Sequence, residues 1–193
     1  DSFRTGNALK TGIPVAIIGA PNVGKSTLMN ALVHEERAIV SDIQGTTRDL
    51  IEDTIQIDGI TFRFIDTAGI RKTNDRIEQM GIERSLQAAK KADIIILLTE
   101  PNKNFPDIHI PHSPETPDLP IILRVINKSD LVMPDSSFLY HRKQKDQDIN
   151  ISSMTGAGMP VLLSSLVSAA HQVLSVNQGN DSTIVTNLRH YEA

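Results

Sequence analysis

The stretch that most constrains this chain is IPVAIIGAPNVGKST at residues 13–27, an apolar run that passes into a glycine-framed loop. Residues 13–19 read as a buried strand. The loop that follows, Gly19-x4-Gly24-Lys25-Ser26, needs a strand before it and a helix after it. Backbone N–H groups at such a turn, together with the helix N-terminus, suit a densely anionic triphosphate. Gly19 and Gly24 let the backbone curl closely around phosphates. Lys25 supplies a point charge to the outer phosphates and Ser26 a hydroxyl for Mg²⁺. Asn22, Val23 and Thr27 complete the phosphate-lining set. The chain is thereby committed to an α/β fold.

The remaining pattern agrees. The helix after the loop should start near Gly24 and turn Leu28 and Leu32 inward. LIEDTIQI and ITFRFID flank Asp58-Gly59, a two-residue hairpin signal. RIEQMGIERSLQAAKKA has helical spacing through Ile77, Met80, Ile82 and Leu86. DIIILLT and PIILRVIN read as buried parallel strands, DINISS as a last short strand, and MPVLLSSLVSAAHQVLSV as a closing amphipathic helix. Strands alternating with helices predict a mostly parallel sheet with one antiparallel edge hairpin and helices on both faces. Residues 101–120 carry six prolines where a crossover helix would be expected, which predicts irregular or briefly helical chain. His109 and His112 stand in that segment without a convincing further ligand nearby, so a solvated loop is the better reading. The expected organisation is a stub of a helical domain at 1–12, the nucleotide domain at 13–177, and a linker with a second helical stub at 178–193.

The chain's 193 residues suffice for one sizeable α/β domain. A net charge of -4 gives no global field for nucleic acid, and the absence of cysteine excludes disulfides and thiolate metal sites. No apolar run approaches the roughly 18 residues of a membrane span, and DSFRTGNALKTG lacks the apolar segment of a signal peptide. The expectation is a cytoplasmic domain with no membrane association.

The base is read from NKSD at 127–130, which follows the strand PIILRVI. The Asp130 carboxylate can accept from both N1–H and the exocyclic amine of guanine, a donor pair that adenine does not present. Polar sites of this kind discriminate strongly, by roughly 10⁴-fold. Asn127 can brace the loop, the stem of Lys128 can cover the base face, and Ser152, Ser153 and Met154 can offer a backbone N–H to the guanine oxygen. The position at a strand end is where open α/β sheets place their ligands.

Two further segments bear on hydrolysis. DTAG at 66–69 places Asp66 to hold Mg²⁺ through water and Gly69 to offer its N–H to the terminal phosphate. GTTRD at 45–49 is a loop from which a threonine, Thr46 or Thr47, should reach Mg²⁺ when the triphosphate is bound. Ras-type enzymes have a water-orienting glutamine after DxxG. Here Ile70 stands there, and an alkyl group cannot hydrogen-bond water. Either hydrolysis is slow or another group substitutes, with Arg71, Asp75, Arg76 and Glu78 as the nearby candidates.

With four motifs in order, the chain resembles the TrmE–Era–EngA group of GTPases, and within it the G domain of the tRNA-modification GTPases. The residues that carry the resemblance are GAPNVGKSTLMNAL, AIVSDIQGTTRDLIEDTIQIDG and DTAGIRKTNDRIEQMGIERS. It implies a Ras-like P-loop GTPase fold, and GTP hydrolysis helped by K⁺ and by transient pairing of two G domains into a homodimer. By the same resemblance Asn22 matches the K⁺-binding asparagine, with Ser41, Ile43 and Thr46 at the K⁺-loop positions. Thr47 matches the Mg²⁺ threonine beside Ser26, and Glu78 the glutamate that positions the attacking water. Catalytic roles therefore fall to Glu78, Lys25, Asn22 and Thr47. The whole family protein acts with the flavoprotein MnmG (GidA) on the wobble uridine of certain tRNAs, and the resemblance implies that this chain should be its excised G domain. The rival reading is a ribosome-assembly GTPase switch of the Era or EngA type. Against it, the sequence has neither a KH pattern nor a basic patch. An inactive GTP-dependent scaffold is a third reading, which requires Glu78 and Asn22 to be irrelevant.

Overall fold

A computed structural model describes residues 11–35, 38–40, 53–65, 87–108, 119–131 and 148–187. Seven strands form one sheet in the order β2-β3-β4-β1-β5-β6-β7. They are β1 (Ile13–Gly19), β2 (Ala38–Val40), β3 (Asp53–Ile57), β4 (Ile60–Phe64), β5 (Ile94–Thr99), β6 (Ile121–Ile126) and β7 (Ile149–Asn150). Among the described residues they are joined by the α-helices α1 (Lys25–His34) and α2 (Met159–Asn187) and by a 3₁₀ turn at Ser129–Leu131. From β4 through β7 every pairing is parallel, with Val15 beside Ile94 and Leu98 beside Val125. The antiparallel edge is wider than the predicted hairpin, because β2 adds a third strand by pairing Ile39 with Gln56.

The Asp58-Gly59 turn is as the sequence predicts. Ile57 pairs with Ile60 across it, and φ is 48° at Asp58 and 80° at Gly59. Positive φ at both central residues is the turn whose twist matches that of paired strands.

Period-two alternation splits the core into two layers. Val15 and Ile17 of β1, with Phe62, Phe64, Ile96 and Leu98, pack with Leu28, Met29 and Leu32 of α1 and with Leu162, Leu163 and Leu166 of α2. Ala16 and Ile18, with Ile95 and Leu97, pack instead with Ala88, Ala89 and Ala92. Residues 87–91, the described end of the predicted RIEQMGIERSLQAAKKA helix, are helical. Phe105 and Ile108 add to this second layer from the proline-rich segment. Its described parts, 101–108 and 119–120, are turn and irregular chain as expected, and residues 101–108 pack apolar side chains against the layer without a helix. His109 and His112 lie outside the described residues. Helix α2 runs past Val176 to Asn187, so the expected boundary at 177/178 falls inside one helix. Among the described residues no helix is long and apolar enough to cross a membrane.

One ion pair pins the β7 edge. Arg124 on β6 donates from Nε to Asp148 Oδ1 at 2.7 Å, and its guanidinium lies 4.2 Å from the centre of the Phe105 ring. The Asp148 side chain is fully enclosed whereas Arg124 is 31% exposed. Arg124→Ala would strand a buried carboxylate and uncover Phe105, with an expected loss of about 2 kcal/mol. That figure lies below the range for fully buried pairs because water reaches the arginine. Urea unfolding checks it, and a loss within experimental error would show that Asp148 is solvated once its partner is gone.

Candidate functional site

The strand order reverses at β1, whose neighbours are β4 on one side and β5 on the other. Ligands of open parallel sheets sit beyond the strand ends at this kind of switch point. There the loop 20–24 leaves β1, Glu100 follows β5, Asn127 and Lys128 follow β6, and residues 151–154 follow β7.

The phosphate loop is shaped by its glycines. Gly24 is the N-cap of α1, at φ 98° and ψ 26°, and no side chain caps the helix. The amides of the first turn are thus presented to an anion. A Cβ at Gly24 would meet Asn127 Nδ2 at 2.3 Å, so glycine is required by conformation and by space. A Cβ at Gly19 would meet the Leu98 carbonyl oxygen at 2.7 Å. Lys25 folds back over its own loop, donating to the carbonyls of Gly19 at 2.8 Å and Ala20 at 2.9 Å. Burial lowers its pKa by disfavouring the ammonium. A triphosphate would replace neutral carbonyl acceptors with anionic oxygens, which the ammonium favours. Ser26 and Thr27 open α1, while Asn22 lies exposed at the loop surface with φ 60°.

The two loops are tied together by Asn127, which is 2% exposed. Its Nδ2 donates to the Val23 carbonyl at 3.0 Å. Its Oδ1 accepts from the Ser153 amide at 3.0 Å and the Ser153 hydroxyl at 2.8 Å. One side chain therefore joins the phosphate loop, the segment after β6 and the segment after β7. The bracing role expected of Asn127 is present, with partners that were not foreseen. Lys128, at φ 62°, reaches across to donate to the Asn22 carbonyl at 2.7 Å and pairs with Glu100. Asp130 is exposed in a short 3₁₀ turn, Ser129–Leu131.

Ser152 and Ser153 are buried, and their amides are engaged by the Ala157 carbonyl and Asn127. Met154 is 86% exposed. Glu100 is the site residue that sequence reasoning passed over. Its only signal was a carboxylate directly after the buried run IIILLT. Lys103 first, then Lys128, hold its carboxyl below the usual carboxylate range by hydrogen bonding.

The structure brings together Asn22, Val23, Gly24, Lys25, Ser26 and Thr27 with Asn127, Lys128, Asp130 and the 152–154 turn. Ser41, Ile43, Thr46, Thr47, Asp66, Gly69 and Glu78 lie outside the described residues. The site can thus seat phosphates on one loop and a base on the next, with a buried amide fixing their separation.

Comparison with known proteins agrees with this geometry. Residues 14–128 match the model of the family described as "50S ribosome-binding GTPase". The tRNA modification GTPase MnmE of Phocaeicola vulgatus is 48% identical over 198 residues, covering all of this chain and 39% of that protein. MnmE of Bacteroides thetaiotaomicron is 48% identical over 204 residues, again covering the whole chain and 42% of the relative. The chain thus spans about two fifths of the length of the curated relatives it matches. Among solved structures, Era in complex with MgGDPNP and a segment of 16S ribosomal RNA is 28% identical with a TM-score of 0.53, covering 80% of this chain and 55% of that one. The fold is the Ras-like P-loop GTPase fold, and the chain belongs to the GTPase family that matches it, as a domain that binds and hydrolyses GTP.

Proposed function

We propose that this chain is the K⁺-stimulated GTPase domain of a tRNA wobble-uridine modification protein. The observation that carries the reading is the 48% identity to proteins named tRNA modification GTPase MnmE along the entire chain. Likeness to Era is lower, at 28% over 80% of the chain, so the ribosome-assembly alternative is not favoured. In the full-length protein the partners would be MnmG (GidA) and tRNA, with a transient homodimer of G domains, in the cytoplasm.

In this reading Lys25 leaves the Gly19 and Ala20 carbonyls for the outer phosphates, and the first-turn amides of α1 hold the remaining oxygens. Asp130 accepts from the guanine edge, Lys128 flanks the base, and the 152–154 turn supplies an amide to the guanine oxygen. Among the described residues Ser26 and Asn22 offer the oxygen donors that hard cations require, with Thr47 and Asp66 completing Mg²⁺ binding and Ser41, Ile43 and Thr46 that of K⁺. Those cations, when bound, supply positive charge to the phosphate oxygens. Glu78 orients the attacking water, the task Ile70 cannot perform.

GTP turnover measured in matched K⁺ and Na⁺ buffers tests the reading. About tenfold faster turnover in K⁺ is expected, a modest part of what charge stabilisation supplies in phosphoryl transfer. Equal slow rates in both salts would overturn it.

A further inference from the structure

We propose that Glu100 is a positioning residue of the guanine-nucleotide site, holding the Lys128 ammonium against the phosphate loop so that the lysine stem is set before the base arrives. The inference rests on reading residues 127–130 as the base loop. It goes beyond that reading by assigning a role to a residue outside every motif.

The geometry is specific. Lys128 comes from the segment after β6, yet both of its polar partners belong to other elements. One is the carbonyl of Asn22 in the phosphate loop, at 2.7 Å, and the other is the Glu100 carboxylate after β5. The Glu100 side chain is 16% exposed and that of Lys128 34%, so the pair is partly shielded from solvent. The backbone sets up the crossing. Asn127 donates its amide to the Thr99 carbonyl at 2.8 Å, which places residues 100 and 128 side by side beyond their strands.

Lys128 and Asn22 both adopt left-handed φ, 62° and 60°, a conformation that non-glycine residues hold only when surroundings enforce it. A free lysine side chain carries about 2 kcal/mol of rotamer entropy. Fixing it before the ligand binds removes that cost from the binding step. A carbonyl alone is a neutral acceptor, and Glu100 adds the charge-assisted contact. Its other oxygen accepts from Lys103 at 2.6 Å, and Thr99 Oγ1 donates to the Asn104 carbonyl at 3.0 Å, so the carboxylate is itself anchored.

A competing effect has the opposite sign. Glu100 is an anion near a site for anions, and its neutralisation alone would favour a triphosphate. The proposal requires loss of preorganisation to outweigh that gain. In Glu100→Gln, mant-GDP is expected to dissociate about tenfold faster, with kcat at saturating GTP and the thermal midpoint of the nucleotide-free domain unchanged. Glu100→Asp should recover most of the loss. Lys103→Ala, which removes only the outer partner, should stay within about twofold. Unchanged or slower dissociation in Glu100→Gln would overturn the proposal. So would a fall in kcat and thermal midpoint together, or a Lys103→Ala effect as large as that of Glu100→Gln, since either marks a loop-anchoring role. Asp130→Asn, measured for GDP over ADP in the same assay, tests the base-loop reading separately. Preserved preference there fails that reading, whatever Glu100→Gln does.

Discussion

Gly24→Ala is expected to weaken GTP binding by at least about 100-fold, some 2.7 kcal/mol, as read by titration of the purified domain. Two effects combine at this position. Alanine at φ 98° costs about 1–2 kcal/mol in backbone conformation. The new methyl would lie 2.3 Å from Asn127 Nδ2, so the amide must withdraw from the Val23 carbonyl it now holds at 3.0 Å. The clash therefore propagates from the phosphate loop into the base loop. A double-mutant cycle isolates that propagation. In an Asn127→Ala background the obstructing amide is absent, so Gly24→Ala should cost markedly less there. Strict additivity of the two losses would show that backbone strain acts alone and that the two loops are not coupled through this contact.

What could be read beforehand was local. IPVAIIG announced a buried strand because an apolar run meets a glycine, and Asp58-Gly59 announced a turn because both residues tolerate positive φ. The three-residue strand β2 could not be read the same way. Its stability comes from pairing with β3, whose partner residues lie 15 or more positions away. The run of α2 beyond Val176 was masked by a polar stretch containing Gly179, although one glycine lowers helix stability by only about 1 kcal/mol. In the 101–108 segment proline correctly excluded a helix. It did not reveal that Phe105 would cover the sheet beneath the Arg124 guanidinium, a contact across 19 residues. The motif NKSD supplied Asn127, but its partners stand 104 and 26 residues away, and only the fold names them as Val23 and Ser153. Glu100 belonged to no pattern, because its role depends on which strand lies beside β5.

Asn127→Ala should then be the most damaging single change in the base loop, for stability as well as for binding. The substitution removes three hydrogen bonds at a position that is 2% exposed. It leaves the Val23 carbonyl and the Ser153 amide and hydroxyl without that partner. Unsatisfied buried groups cost about 1–3 kcal/mol each, and partial entry of water into the space vacated by the amide lowers the sum, so a loss of roughly 3–4 kcal/mol is expected. Guanidinium chloride unfolding of the nucleotide-free domain measures it. Ser153→Ala removes only the 2.8 Å hydroxyl bond and keeps the Ser153 amide bonded, so it should cost about 1 kcal/mol. The contrast between the two variants carries the argument. Were Asn127→Ala no worse than Ser153→Ala, the Val23 carbonyl would have found another donor. The tie between phosphate loop and base loop would then be replaceable rather than structural. If the contrast holds, nucleotide affinity and domain stability fall together in Asn127→Ala, because the same amide that closes the core at the ends of β6 and β7 also fixes how far the phosphates stand from the base.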